Sequence, residues 1–388
     1  MNNNLTGYSN FWVVKASKLC NLRCSYCYEW DELGDPKKLS LELWRNFFSG
    51  IRHLSEEAKV ERKSVSHKLI LHGGEPLILP LNYLQSIMDI ATDYGGDDLD
   101  LQNCLQTNLY SITEEKIQYL KENRFRIGVS FDGVPGTRLS VAGKTTEDQV
   151  VKNMEIILRN GINYGCICVV GRHNENRLVD IFNFFYNLRI SFRFLPVFDV
   201  SQHVNQSQIS VNYEATANRL FEVFVIWISK KETLSVRPFL EWLEISLRFL
   251  SKQKIRESAS RVEGPTVTLV NTDGKLYRVP DAYTAGLEFG DLEYGLPMSF
   301  GSKQHRKSVQ REENEVNATC NACTFRDYCD SSFIVSSRPE RTKHCGVDYL
   351  VISKIVRWLG ENADHFAMAF EIMSPDAEPI GPELQVLA

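Results

Sequence analysis

A chain of 388 residues with 44 basic and 49 acidic side chains carries a formal charge of −5, and 43% of it is hydrophobic against 24% charged. That balance belongs to ordinary globular proteins with enough apolar material for a sizeable core. It holds no run of about 18 apolar residues, and the start Met1-Asn2-Asn3-Asn4 is too polar for a signal peptide. Neither a membrane span nor export is expected, the location reads as cytoplasmic, and the mild acidity argues against a nucleic-acid binder, which would want a clustered basic face.

In chain order, 1–10 reads as a flexible N-terminus and Phe11-Trp12-Val13-Val14-Lys15 as the first strand. Further strand-like runs lie at Leu69–His72, Asp100–Gln106, Arg126–Phe131, Tyr164–Val170 and Ser191–Pro196. The helical stretches Leu41–Leu54, Leu81–Tyr94, Glu114–Glu122, Thr146–Arg159 and Asn176–Leu188 separate them. This alternation predicts an α/β fold, a partial (β/α)6 TIM-like barrel over 11–211, with functional groups at the C-terminal ends of its strands. Residues 212–261 carry two bridging helices, Tyr213–Ser229 and Arg237–Leu250. Leu220, Phe224, Trp227 and Ile228 form a core stripe on the first of them. From Val262 the chain is turn-rich, with Asn271-Thr272-Asp273-Gly274 as a hairpin turn and a helix near Val347–Leu359. Residues 262–360 therefore read as a small C-terminal module, and 361–388 as a tail.

The cysteines depart from the average. Ten occur, and seven of them fall into two groups at opposite ends of a chain without an export signal. Metal ligation explains that better than a disulfide framework, a device of small secreted chains. Cys104, Cys166 and Cys168 lie on expected strands and read as small core residues.

Cys20-Asn21-Leu22-Arg23-Cys24-Ser25-Tyr26-Cys27 is a C-x3-C-x2-C run on the loop after the first strand. Three thiolates so close can ligate three irons of a four-iron cluster and leave the fourth open. Zinc is the alternative, although structural zinc takes four ligands and no fourth lies nearby.

With an aromatic residue, Tyr26, before its last cysteine, this run resembles the signature of the radical S-adenosylmethionine superfamily. The resemblance implies that the open iron chelates S-adenosylmethionine. The reduced cluster then cleaves it to a 5′-deoxyadenosyl radical that abstracts hydrogen from an unactivated C–H bond. His72-Gly73-Gly74-Glu75-Pro76 resembles the family's GGEP segment, in which backbone and Glu contact the cofactor's ammonium. Gln106-Thr107-Asn108 and Ser130-Phe131-Asp132-Gly133 resemble strand-end motifs lining the cofactor and substrate cavity, with Ser130 as the ribose contact. Asn174 and Leu195 are weaker contacts implied in the same way. Taken singly, each of these motifs also reads as a turn or a helix cap.

Cys320, Cys323 and Cys329, followed by Cys345, resemble the SPASM extension of such enzymes, and a four-cysteine zinc ribbon is the alternative. The family commonly holds two auxiliary clusters. Here the hairpin Asp273–Pro280 has no cysteine and Phe333 stands where an extra ligand would be. The resemblance thus implies two [4Fe-4S] clusters, one binding S-adenosylmethionine and one auxiliary and closed. Asp281 resembles in position an acidic residue that serves as base in some relatives, and it reads equally as a surface turn carboxylate.

The implied function is a maturase that modifies a ribosomally synthesised precursor peptide by hydrogen-atom abstraction, forming a carbon–carbon, cyclophane-type crosslink. Its partners would be the peptide and an external one-electron reductant of flavodoxin or ferredoxin type. Thioether-forming, epimerising or sulfatase-maturing enzymes are alternatives, as are a small-molecule radical enzyme, a non-catalytic iron–sulfur protein and a zinc-binding interaction protein. An extended peptide is expected to add as a strand to the edge of the hairpin around Val267–Val279.

Overall fold

Trp12, Val14 and Ala16 alternate along the first strand and are all fully buried, so one of its faces packs outward against helices. The computed structural model describes residues 7–95, 99–197, 211–230, 234–255, 266–278, 286–329 and 341–373. Its strands are β1 (Gly7–Ser17), β2 (Leu22–Cys24), β3 (Ser64–Gly73), β4 (Leu101–Thr107), β5 (Arg126–Ser130), β6 (Arg138–Ser140), β7 (Tyr164–Val170), β8 (Phe192–Pro196), β9 (Val236–Arg237), β10 (Thr266–Val270), β11 (Lys275–Arg278) and β12 (Gly290–Asp291). One ten-stranded sheet runs β12-β11-β10-β1-β3-β4-β5-β7-β8-β9, and β2 pairs with β6 in a separate ribbon.

Within that sheet β1, β3, β4, β5, β7 and β8 are parallel neighbours in chain order. Helices α1 (Leu41–Val60), α2 (Leu81–Gly95), α3 (Glu114–Glu122), α4 (Glu147–Arg159) and α5 (Leu178–Asn187) connect them. This is the expected partial barrel. Ser40 caps α1 by accepting from the Leu43 N–H at 3.1 Å. Trp44, Phe47, Phe48 and Ile51 then bury one face of α1, with Phe47 edge-on to Trp12 at 5.5 Å. The other face of the sheet turns inward and carries Lys15, His72, Gln106, Ser130 and Arg193.

Leu220, Phe224, Trp227 and Ile228 are buried as a core stripe of helix Tyr213–Ile228. Helix Arg341–Glu361 packs against that helix and against Phe239–Ser251. No helix among the described residues is long and apolar enough to cross a membrane.

Several expectations change. The N-terminus expected to be flexible over 1–10 is already strand from Gly7, paired through Asn10↔His67. Within the expected tail, Ala363–Ile372 is a helix, while 374–388 lie outside the described residues. Helix Lys303–Cys320 was not expected, because its polar sequence offers almost no apolar stripe. The hairpin forms, with Gly274 at φ 84° closing the turn onto Asn271 at 2.9 Å. Its first strand, β10, is not an open edge, however. β10 runs parallel to β1 and is covered on its other side by β11, and β11 meets β12 at Lys275 and Leu276. Leu269, in register with Val13 and Tyr277, is an interior strand residue, so β10 has no free side for an added peptide strand.

Candidate functional site

The loop that leaves β1 is held at both ends. Lys15 on β1 reaches Glu29 at 2.9 Å, with both side chains almost fully buried. Burial lowers the lysine pKa and the glutamate opposes that. Between these anchors the Cys20 N–H donates to the Leu33 carbonyl at 3.0 Å and the Cys27 N–H to the Cys24 carbonyl at 3.0 Å. Strand β2 pairs with β6 in the register Leu22↔Ser140, Arg23↔Leu139 and Cys24↔Arg138. The three thiols pack together with Leu22 and Leu33. Burial, and after it charge on neighbouring acidic groups, pushes Cys20 and Cys27 up to about 12. Burial also raises Cys24, against the pull of Arg138. Thiols held this way ionise only if a cationic group joins them, and their spacing suits an iron–sulfur cluster. Among the described residues no three His, Cys, Asp or Glu side chains converge as they would around a single ion.

The strand ends close around that loop. A Cβ at Gly73 would lie 2.0 Å from the Ser17 carbonyl oxygen, and one at Gly74 2.3 Å from that of Leu19, so only glycine lets β3 approach so closely. There the Gly74 N–H donates to Ser17 at 3.0 Å and the Glu75 N–H to Leu19 at 2.9 Å. Pro76 is buried at the start of a short 3-10 turn. The buried Glu75 carboxylate accepts from Thr107 Oγ1 at 2.7 Å and the Leu77 N–H at 2.9 Å on Oε1, and from the Asn108 N–H at 2.6 Å on Oε2. Burial raises its pKa while these donors lower it. Glu75 thus braces the ends of β3 and β4, and Oε2, with one donor, keeps acceptor capacity for an ammonium group. Asn108 Nδ2 donates to Asn21 Oδ1 at 2.8 Å and faces Cys20 Sγ at 3.8 Å.

Gln106 Nε2 donates to Ser130 Oγ at 2.8 Å, and the buried Gln106 Oε1 has no hydrogen-bond partner. An orphaned acceptor beside a hydroxyl suits a polar ligand such as a ribose. Tyr26 Oη donates to Asp132 Oδ2 at 2.5 Å and accepts from Arg138 Nη1 at 2.5 Å, while its ring stacks on His173 at 5.7 Å. Asp132 Oδ1 accepts from the Val169 N–H at 3.1 Å. Asn174 is consumed by its own turn: Nδ2 donates to the Val169 carbonyl at 2.8 Å and Oδ1 accepts from the Gly171 N–H at 3.0 Å. Leu195, half-buried, lies in register with Val169.

Arg138 is the residue that sequence reasoning missed. It is buried beside Cys24, Tyr26 and Asp132. Burial opposes its charge, and those three neighbours hold the guanidinium protonated. Its position follows from the β2–β6 pairing, for which no local pattern existed.

The second group gathers as well. Cys320 ends helix Lys303–Cys320, the Cys323 N–H donates to the Cys320 carbonyl at 3.0 Å, and Cys345 on helix Arg341–Glu361 packs on Cys320. Burial raises the Cys345 thiol, followed by the charges of Asp348, Cys320, Cys323 and Cys329, which puts all four sulfurs in one neighbourhood. None of the ten cysteines forms a disulfide. Phe249 docks this module on the neighbouring helix through Phe325 at 5.1 Å and Tyr328 at 5.3 Å. Asp281, Pro280 and Phe333 lie outside the described residues.

Residues 14–185 match the radical SAM superfamily. This chain carries a radical SAM domain. A cysteine-type anaerobic sulfatase-maturating enzyme of Clostridium novyi (strain NT) is 25% identical over 336 residues, 82% of this chain and 86% of that protein. A serine-type anaerobic sulfatase-maturating enzyme of Bacteroides thetaiotaomicron is 28% identical over 197 residues, 48% of this chain and 45% of that protein. The structure of anSMEcpe with bound AdoMet and Cp18Cys peptide has a TM-score of 0.72 at 18% identity, covering 94% of this chain and 99% of that one. Streptococcus suis SuiB bound to precursor peptide SuiA has a TM-score of 0.59 at 13% identity, covering 86% and 73%. At those identities the two structures establish a shared fold. The chain is an enzyme with a radical SAM domain, a family that implies S-adenosylmethionine and a [4Fe-4S] cluster. Cys20, Cys24 and Cys27 are the thiols that fit such a cluster in this barrel.

Proposed function

We propose that this radical SAM enzyme modifies a peptide by hydrogen-atom abstraction at a side-chain Cβ, with a carbon–carbon crosslink to a neighbouring aromatic ring as the product. The observation that supports it most is the joining of the barrel to the four-cysteine module. β10 continues the barrel sheet beside β1, and two cysteine groups serve one continuous scaffold. Peptide as substrate draws support from relatives whose names and structures concern sulfatase maturation and bound peptides.

In this reading Cys20, Cys24 and Cys27 hold the first cluster and Cys320, Cys323, Cys329 and Cys345 hold a closed auxiliary one. When bound, S-adenosylmethionine on the first cluster supplies the hydrogen-abstracting chemistry. Glu75 receives the cofactor's ammonium, and Gln106 and Ser130 receive its ribose. The Tyr26–Asp132–Arg138 network fixes the ribbon beside Cys24, and Asn174 and Leu195 close the adjacent strand ends. Rearomatisation after ring addition releases one electron and one proton. In this reading the four-cysteine module takes the electron, and Asp281 is the candidate base. A flavodoxin- or ferredoxin-type protein would supply the reducing electron.

A second reading, sulfatase-type oxidation of a cysteine or serine Cβ to an aldehyde, is favoured by the similarity spanning 82% of this chain. Tandem mass spectrometry decides between them after anaerobic coexpression with a short peptide encoded beside this protein. A loss of two hydrogens with fragmentation blocked between two side chains supports the crosslink. An aldehyde captured by a hydrazide reagent supports the second reading, and an unmodified peptide counts against both.

A further inference from the structure

Asn108 follows β4 directly and is buried, with both polar atoms of its side chain engaged. Oδ1 accepts from the Tyr110 N–H at 2.9 Å. Because that backbone donor holds the oxygen, the NH2 group is turned the other way, toward the thiol loop. There Nδ2 donates to Asn21 Oδ1 at 2.8 Å and lies 3.8 Å from Cys20 Sγ, which leaves its second hydrogen for the sulfur. Hydrogen bonds to sulfur are longer than those to oxygen because the atom is larger.

The Leu22 N–H donates to the same sulfur at 3.4 Å, but it belongs to the loop itself. Asn108 reaches Cys20 from 88 positions away, from the fixed end of the sheet. Its own backbone is held on both sides. The Asn108 N–H donates to Glu75 Oε2 at 2.6 Å, and the Leu109 N–H to Thr107 Oγ1 at 2.9 Å. Leu109 keeps φ at 51°, a left-handed angle that leucine seldom adopts. An electron added to an iron–sulfur cluster increases the negative charge on its thiolates. A donor aimed at one of them holds the reduced state more strongly than the oxidised one, and so raises the reduction potential. Burial strengthens the effect because the surroundings screen little.

We propose that Asn108 is a positioning residue for the cluster's redox step: its side-chain amide donates to the Cys20 sulfur and eases the one-electron reduction that precedes cofactor cleavage. This rests on the reading of Cys20, Cys24 and Cys27 as ligands of the first cluster. One electron passes to that cluster from the flavodoxin- or ferredoxin-type protein, and Asn108 neither gains nor loses a proton. The end of β4 then has two separate tasks. Its backbone holds Glu75 for the cofactor's ammonium, and the Asn108 side chain acts on the cluster.

The test is an anaerobic redox titration of the reconstituted full-length enzyme followed by electron paramagnetic resonance. The signal that changes on adding S-adenosylmethionine identifies the cluster on Cys20, Cys24 and Cys27. Asn108→Leu removes the donor at similar volume, and Asn108→Asp sets a carboxylate oxygen in its place. In each, the ratio of reduced to oxidised cluster at a fixed potential should fall about ten-fold, a midpoint lower by about 59 mV for one electron. Formation of 5′-deoxyadenosine under a weak reductant should fall with it and recover under titanium(III) citrate, a recovery that a distorted site would not show. Iron content reports cluster loading. Should Asn108→Leu hold no iron, Asn108→Asp, which keeps an acceptor for the Tyr110 N–H, decides. A midpoint unmoved in the iron-loaded variants, a loss that the stronger reductant does not restore, or failure of both variants to hold iron would overturn the redox role. A wild-type enzyme without any signal responsive to S-adenosylmethionine would overturn the cluster reading itself, and this role with it.

Discussion

Cys24 and Arg138 are register partners in the ribbon of β2 and β6, so a buried guanidinium stands beside one of the three loop thiols. The same guanidinium donates to Tyr26 at 2.5 Å and lies 3.9 Å from Asp132. Arg138→Gln should therefore destabilise the fold by about 3 kcal/mol in urea denaturation, since it leaves the buried Asp132 charge without its counter-charge. Arg138→Lys keeps the charge but loses the fork, and should restore less than half. Unchanged stability in both variants would show that the ribbon stands without this group.

Iron analysis checks the two cysteine groups. Reconstituted protein should hold about eight irons and about eight sulfides, from two four-iron clusters. Replacing Cys20, Cys24 and Cys27 together by Ala should remove half and abolish cleavage of S-adenosylmethionine. Cys345→Ala should instead lower the auxiliary content while cofactor cleavage persists. About twelve irons would reveal a third cluster whose ligands include residues outside the two groups.

Glu75 carries two jobs, and its substitution should show both. In Glu75→Gln an amide NH2 replaces one oxygen and meets the N–H of Asn108 or Leu77, at a cost of about 1–3 kcal/mol in stability. Loss of the charge-assisted bond to the ammonium should also weaken cofactor binding about ten-fold. Equilibrium binding of S-adenosylmethionine to the iron-loaded variant is the measurement. Unaltered affinity would reduce Gly73–Pro76 to a structural turn.

His67 should make the protein acid-sensitive. It is fully buried, Nδ1 accepts from Trp12 Nε1 at 3.1 Å, and Nε2 meets Ser55 Oγ at 2.9 Å, whose own hydroxyl donates to the Ile51 carbonyl at 3.0 Å. With Nδ1 accepting, the proton sits on Nε2. Burial lowers its pKa from 6.5 to about 4. A depressed folded pKa gives stability that is present above the unfolded value and lost as pH falls from 6.5 toward 4. The loss by pH 5.5 should be about 1.4 kcal/mol. His67→Gln should flatten the dependence of the urea midpoint between pH 7.5 and 5.5, and an unchanged slope would place the acid sensitivity elsewhere.

The barrel was legible because each of its strands carries its own evidence. Trp12, Val14 and Ala16, or Phe192 and Phe194, alternate within a few residues, and every such strand is followed by a helix with an apolar stripe. The thiol loop was legible for a related reason. The spacing of Cys20, Cys24 and Cys27 is a covalent property of eight consecutive residues, and no distant contact is needed to bring them together. Helix Lys303–Cys320 escaped because its polar surface offers no periodic signal.

Spacing along the chain by itself determined which thiols group together and at which strand ends the polar residues sit. Only the tertiary structure decided what stands opposite them. Arg138 reaches Cys24 through a strand pair joining distant segments, and β10 turns from a free hairpin edge into an interior strand because β1 offers it an unfilled side. Arg193 and Arg237 share an inner row because β8 and β9 pair in one register. A single-residue slip in that register would turn one of them to the opposite face. Register between segments far apart in sequence is set by the packing of whole strands and helices, and a linear pattern of residue types does not contain it.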